Sequence, residues 1–209
     1  MIAFTRRAAG LALAAGLALG ASLGFADRAS AQTPMSSAEI TKQLSEVTQF
    51  DPSLTAQVLQ NMAQRAVQAN QPLPLDQSEI AKRLAKLAQI DVQIQFALNS
   101  AVIRPQSYAA LGSIADAMHH PILWNYRFLV VGNTDTTGTR AVNLALSQKR
   151  AEAIKEALVN LGKVDPARLD AVGLGQEALE VPSKPTDPIN RRVEIFTIGT
   201  MSAMPKPLQ

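Results

Sequence analysis

The spacing of apolar residues changes character twice along the chain. From Ala8 to Ala26 the run is uncharged and rich in Ala, Leu and Gly. Arg6 and Arg7 precede it and Ala29-Ser30-Ala31 follows, which is the order of an export leader ending at a small-residue cleavage site. A retained membrane anchor is the alternative, because this run is long enough to cross a bilayer. From Gln32 to Gln89 the spacing is helical. Asp51-Pro52 predicts a helix start, Leu54, Val58 and Met62 recur every four residues, and Asn70-Gln71-Pro72 predicts the stop. Ser36, Glu39, Ile40, Lys42 and Leu44 match Asp76, Glu79, Ile80, Lys82 and Leu84 at an offset of 40, and both copies open like capping boxes. Two copies are too few for a solenoid, so they predict a pair of amphipathic helices acting as spacer or oligomer contact.

From Asp91 the spacing shifts again. Val92, Ile94 and Phe96 alternate with Gln93 and Gln95, which predicts a half-buried strand. Gln106 to Met118 returns to helical spacing through Leu111, Ile114, Ala115 and Met118. Tyr126 to Val131 predicts a second strand, Leu169 to Leu174 a third and Arg191 to Ile198 a fourth. A long helix from about Arg140 to Leu161, with Thr139 as its cap, fills the gap between the second and third. The order β-α-β-α-β-β predicts an α/β (α+β) domain with a mixed sheet and helices on one face. Glu180 to Pro188, with three prolines, reads as a surface loop, and Gly199 to Gln209 as a flexible tail.

Chemistry concentrates between the second strand and the long helix. Gly132-Asn133-Thr134-Asp135-Thr136-Thr137-Gly138-Thr139 is dense in hydroxyls and turn formers. On the helix that follows, Asn143, Leu146, Ser147, Arg150, Ile154, Ala157 and Leu161 share roughly one face. Arg150 is the exception on that face, since a guanidinium on a packed stripe needs a partner. Asp135 is the nearest carboxylate candidate in sequence. The two can form a plain salt bridge, or a clamp for a zwitterion.

Gly132, Thr134, Asp135 and Gly138, then Asn143, Leu146, Ser147, Arg150 and Ala151, then Asn190 to Ile195 follow the pattern G-x-T-D-x-x-G, N-x-x-L-S-x-x-R-A, N-R-R-V-E-I. This pattern resembles the OmpA-like peptidoglycan-binding domain family, across roughly Asp91 to Ile198. The family commonly has His where this chain has Asn133. The resemblance implies non-catalytic binding of the peptidoglycan stem peptide at its meso-diaminopimelate residue, in the periplasm of a Gram-negative cell, free or associated with its outer membrane. It implies a ligand-binding set of Asp135, Arg150, Thr134, Thr137, Asn143, Arg191 and Arg192. Asp135 would take the ligand's ammonium and Arg150 its carboxylate. The expected organisation is then a leader over 1–31, a helical extension over 32–90 open to an envelope partner, the binding domain over 91–198, and the tail.

Composition narrows the field further. With no cysteine there is no disulfide framework, thiolate metal site, cysteine nucleophile or lipidation cysteine. The formal charge of +3 belongs largely to the leader. Removing residues 1–31 takes three basic residues from 20 and one acidic residue from 17, leaving 17 against 16, so a nucleic-acid partner has no support. His119-His120 are adjacent and lack a third ligand, which fits a polar helix end better than a metal site. Asp135-Thr136-Thr137-Gly138-Thr139 also resembles the D-x-T-G-T loop of aspartyl-phosphate enzymes, where the carboxylate is a nucleophile beside magnesium. Here Gly132 to Thr134 separate the apolar strand from the aspartate, and Asp165 and Asp170 do not form an acidic pair. A second alternative is a stator-type protein with its N-terminal helix retained in the membrane, although Ala8 to Ala26 holds no ionisable group for proton transfer. No catalytic set, cofactor or metal is expected.

Overall fold

A computed structural model of the protein describes residues 35–201, except 48 and 75; the expected leader and most of the expected tail lie outside these residues. Helix α1 (Ser37–Ser45) begins at Ser36, whose hydroxyl and the Glu39 carboxylate complete the expected capping box. Helix α2 (Ala56–Gln68) begins later than Asp51-Pro52 predicts, with Thr55 as its cap. Asp51 instead accepts hydrogen bonds from Ser53 and pairs with Arg83 at 2.7 Å. The chain leaves α2 through Asn70 at φ 48°, a left-handed conformation that asparagine tolerates. Helix α3 (Glu79–Leu84) is capped by Ser78 and not by Asp76, so the second half of the repeat starts two residues later than expected.

Strand β1 (Gln89–Val92) also differs from the alternation, which pointed to residues 92–96. Beyond Val92 only Phe96 makes a bridge, to Ile103. Helix α4 (Tyr108–Met118), strand β2 (Tyr126–Asn133), helix α5 (Arg140–Asn160) and strand β3 (Leu169–Gly175) follow the predicted order. Strand β4 (Val193–Thr200) starts two residues after Arg191 and absorbs Gly199 and Thr200 from the expected tail. The sheet order is β1-β4-β2-β3, with β2 parallel to β3 and both other pairings antiparallel. The parallel pair requires a crossover, which α5 supplies.

Alternation along β2 sorts the core into two layers. Phe128 and Val130 face a cluster built by α4 and α5 with Ile40 and Leu44 of α1. Leu129 and Val131 face a second cluster that contains Leu59 and Ala63 of α2 and Ile80, Leu84 and Leu87 around α3. The helices of the β-α-β-α-β-β order therefore lie on one face, as expected, joined there by α1, and α2 and α3 cover the other. The matched repeat positions Ile40/Leu44 and Ile80/Leu84 are buried in opposite layers. All described residues belong to one compact unit, and the boundary expected at Asp91 falls inside β1.

This packing carries a prediction about truncation. Burying Leu59, Ile80, Leu84 and Leu87 contributes on the order of 10 kcal/mol before entropy, comparable with the whole net stability of an ordinary domain. A chain that starts at Asp91 loses half of β1 and uncovers Leu129, Val131, Val172, Leu174 and Phe196. It is expected to lack a cooperative melting transition by circular dichroism; a sharp transition would show that the helices are dispensable.

Close approach of α5 to the sheet requires glycine. A Cβ on Gly132 would lie 2.5 Å from the Ser147 carbonyl oxygen, and one on Gly173 would overlap the Gln148 backbone nitrogen. In return α5 serves the edge strand, since Gln148 Oε1 accepts from the Gly173 amide at 2.7 Å and Ser147 Oγ from the Gly175 amide at 2.8 Å. Between Gly132 and Asn133 the β2–β3 register slips by one residue. Such a bulge turns a strand end, and here it starts the hydroxyl-rich loop.

Candidate functional site

At the carboxyl end of β2 lies an open cleft of about 760 Å³. Asp135, Arg150, Thr134, Thr137, Asn143, Arg191 and Arg192 all line it, so the fold brings the whole expected set together. Loop 134–139 forms one wall, the segment from Ile94 to Asn99 another, and the first turns of α5 the base. Thr139 caps α5 by accepting from the Val142 amide. Gly138, at φ +91°, makes the turn into that cap, a conformation costly for other residues. Of the stripe read along α5, Asn143, Ser147 and Ile154 are buried, whereas Leu161 is exposed beyond the last turn.

Asp135 and Arg150 do not pair. Asp135 is only 2% exposed and its Oδ2 accepts from Arg191 Nη1. Its Oδ1 accepts from both the backbone amide and the hydroxyl of Thr137. Burial alone would raise the Asp135 carboxyl, but the bonds from Thr137 and Arg191 outweigh it and hold the group below the usual carboxylate range. Arg150 donates through Nε to the Ser100 carbonyl at 3.1 Å, and its guanidinium carbon stands 4.9 Å from the centre of the Phe96 ring. Among the described residues, no carboxylate lies within 4.0 Å of it. Burial lowers the Arg150 guanidinium, the charge of Arg191 adds to that, and Asp135 opposes both. The internal salt bridge between Asp135 and Arg150 is thus replaced by two separately held, opposite charges in one cleft.

The remaining expected residues divide by task. Asn143 is buried at the foot of the loop, and its Nδ2 donates to the Asp135 carbonyl at 3.0 Å and to Gln176 Oε1 at 2.8 Å. Both of its amide hydrogens are thereby engaged in holding the loop. Thr134 donates its backbone N–H to the Gly175 carbonyl at 2.8 Å, and its buried hydroxyl has no protein partner. Arg191 and Arg192 precede β4 and do not alternate within it as a strand would have them. Arg191 reaches Asp135, while Arg192 Nη2 lies 3.0 Å from Glu194 and 3.2 Å from Glu180. The Glu180 to Pro188 loop is tied to the site too: the Pro185 carbonyl accepts from the Thr136 amide, and buried Asn190 accepts from Val181 and donates to the Lys184 carbonyl.

Two buried acids were not among the expected residues. Glu177 makes two bonds with Arg140. Arg140 opens α5, where a cation opposes the helix dipole, and that misplacement was a readable signal for a missing acid. Glu194 on β4 accepts from Asn133 Nδ2 at 2.6 Å, so Asn133, which stands where histidine is common in the resembled family, is a buried donor to a carboxylate. Burial pushes the Glu194 carboxyl up to about 7, against the pull of Arg192 and with the help of Asp91 and Glu180.

That shift has a sign. A carboxyl whose folded pKa lies above its unfolded value favours folding most at low pH, and the benefit is lost as pH rises through the folded value. With an ordinary value of 4.5 and a folded value of about 7, the window is pH 4.5–7 and the difference is about 3 kcal/mol. The melting temperature of the wild type relative to Glu194→Gln is expected to fall between pH 5 and pH 8. Parallel melting curves for the two proteins would contradict this.

His119 ends α4, with Nε2 2.8 Å from the Gly162 carbonyl oxygen, and His120 Nδ1 accepts from the Ile122 amide. Both are engaged at a helix end, as their adjacency predicted. Among the described residues no helix is long and apolar enough to cross a membrane.

Residues 95–192 match the family model described as the OmpA family. Outer membrane porin F of Pseudomonas fluorescens is 37% identical over 108 residues, 50% of this chain and 32% of that protein. The peptidoglycan-associated lipoprotein of Pseudomonas putida is 37% identical over 82 residues, 39% of this chain and 47% of that protein. The match thus spans less than half the length of either relative. The crystal structure of the peptidoglycan-associated lipoprotein from Burkholderia pseudomallei is 35% identical, with coverage of 49% of this chain and 86% of that one and a TM-score of 0.40.

Proposed function

Because residues 95–192 form an OmpA-like domain, we propose that this protein binds peptidoglycan in the cell envelope without catalysis, holding the meso-diaminopimelate residue of the stem peptide in the cleft. The observation that carries this reading is that Asp135 and Arg150 line one cleft without pairing with each other. The free end of meso-diaminopimelate has an ammonium and a carboxylate on one carbon. A carboxylate has about four acceptor sites, and Thr137 and Arg191 use three at Asp135. The fourth accepts from the ammonium. Arg150 spends Nε on Ser100 and keeps its two terminal nitrogens for a bidentate grip on the ligand carboxylate.

The flanks suit the rest of such a ligand. Leu98, 87% exposed, and Val142 offer apolar surface at the rim for the methylene chain that joins the zwitterion to the peptide. The similarity to the Pseudomonas putida peptidoglycan-associated lipoprotein supports peptidoglycan as the partner. Export through the leader would place the protein in the periplasm, where the wall lies, and helices α1–α3 would present their outer surfaces to a further envelope protein. Sedimentation tests the reading. The purified protein is expected to pellet with insoluble peptidoglycan and to be released by free meso-diaminopimelate. Protein left in the supernatant at all wall concentrations would overturn it.

A further inference from the structure

We propose that Glu194 is a positioning residue of the cleft: as a carboxylate it clamps the two chain segments that present the Asp135–Arg191 pair, and its protonation weakens the grip on a ligand ammonium. The inference rests on the wall-binding reading and adds a residue and a pH dependence to it. Glu194 is 5% exposed and never reaches the cleft surface itself. Its Oε2 accepts from Asn133 Nδ2 at 2.6 Å and forms an ion pair with Arg192 Nη2 at 3.0 Å. Asn133 is the last residue of β2, two positions before Asp135, and Arg192 directly follows Arg191. The Asn133 amide also donates to the Arg192 carbonyl at 3.0 Å. One buried carboxylate therefore ties together both strands exactly where they enter the ion pair that faces the ligand.

The charges around Glu194 make its protonation consequential. Asp91 is its register partner on β1, Glu180 lies across Arg192 from the loop after β3, and Arg192 is the cation in contact. When Glu194 is ionised it balances Arg192. When it is neutral, Arg192 retains only the half-exposed Glu180, and the cleft, which Arg104, Arg150 and Arg191 also line, becomes more positive toward an ammonium. A protonated carboxyl is also a donor, so it no longer offers Asn133 two free acceptor oxygens. The Asn133 Oδ1 and Arg192 Nε and Nη1 atoms are buried without protein partners, so the carboxylate orients the Asn133 amide and shares the hold on Arg192 Nη2 with Glu180 and the Ala178 carbonyl. The pKa of about 7 places this change near neutrality.

The test is a titration of the full protein with N-acetyl-L-Ala-γ-D-Glu-meso-diaminopimelate between pH 5.5 and pH 8, with melting temperatures recorded alongside. Wild-type affinity is expected to fall about tenfold toward pH 5.5, the equivalent of one charge-assisted bond, while the fold becomes more stable. Opposite trends separate positioning from a structural role, because loss of structure would lower both. Glu194→Gln, isosteric and uncharged, is expected to bind at the low-pH wild-type level throughout and to lose the slope. Asn133→Ala is expected to reduce the slope as well. A flat wild-type profile, or an unchanged slope in Glu194→Gln, overturns the proposal while leaving wall binding in place. If the wild type binds the tripeptide at no pH, the wall-binding reading fails, and the role of Glu194 with it.

Discussion

Replacing Asp135 or Arg150 with alanine releases the protein from insoluble peptidoglycan and leaves it folded: this is the expected result of the cleft's geometry. A hydrogen bond to an ionised partner contributes about 1.5–3 kcal/mol, so each loss weakens binding by roughly tenfold to a hundredfold. The fold tolerates both changes for different reasons. Asp135→Ala frees Arg191, whose side chain is 48% exposed and can turn to water. Arg150→Ala removes one bond to a carbonyl and a stacking contact with Phe96, a cost of about 1–2 kcal/mol. Arg150→Lys also fails, because an ammonium cannot supply two parallel donors to a carboxylate. Lys155→Ala, farther along α5, is the control and binds normally. If both alanine variants melt cooperatively and still pellet with the wall, the two charges serve structure alone and the ligand sits elsewhere.

The second large effect lies at the other end of the sheet. Arg168 is 2% exposed, and among the described residues it has no carboxylate within 4.0 Å. Instead it donates to three backbone carbonyls, those of Tyr126 at 3.0 Å, Met118 at 3.0 Å and Leu123 at 2.6 Å. Its guanidinium also lies beside the Trp124 and Phe128 rings, at 5.9 and 5.4 Å. It thereby closes the α4–β2 connection, which lacks regular structure to satisfy those carbonyls. Burial lowers its pKa, with Asp165 opposing, and the guanidinium remains charged. Arg168→Met keeps much of the volume but removes three charge-assisted bonds to buried carbonyls, at about 1.5–3 kcal/mol each, although the Leu123 carbonyl keeps the Tyr126 amide as a donor. A loss on the order of 5 kcal/mol or more would unfold a domain of ordinary stability, so the variant is expected to be insoluble or to melt far below the wild type by circular dichroism. A wild-type melting temperature would show that water satisfies those carbonyls.

Much of the sheet and the cleft was legible because local pattern and tertiary role agree there. The apolar run of β2, the Thr139 cap and the buried Asn143, Ser147 and Ile154 of α5 are all read from spacing alone. The ligand set converges because strand, loop and helix are consecutive in sequence, and the Arg191-Arg192 pair was supplied by the motif. Partners distant in sequence were not legible. Asp135 and Arg150 are both held in the cleft, but which arginine takes the aspartate depends on how the β4 entrance crosses β2, and the choice fell on Arg191. Glu194 sits in an alternating strand where an acid reads as a solvent-facing residue; it shares a face with Phe196 of the second core layer, and Asn133 and Arg192 lie against it. The same layer explains why helices that read as separable pack as core. Polar caps and glutamines on their outer sides give no hint that Leu59, Ile80 and Leu84 meet a sheet and not another chain. Arg168 was missed because a lone arginine after Asp165-Pro166 looks like a turn residue, and carbonyl acceptors leave no mark in sequence.

The central claim is that the cleft reads both charges of one zwitterion, and calorimetric titration with two stem peptides tests it most directly. N-acetyl-L-Ala-γ-D-Glu-meso-diaminopimelate carries the distal ammonium and carboxylate together, and the lysine counterpart carries the ammonium alone. The diaminopimelate peptide is expected to bind at least tenfold more tightly to the wild type, and that preference is expected to vanish in Arg150→Ala. Equal affinity of the wild type for the two peptides would contradict the account.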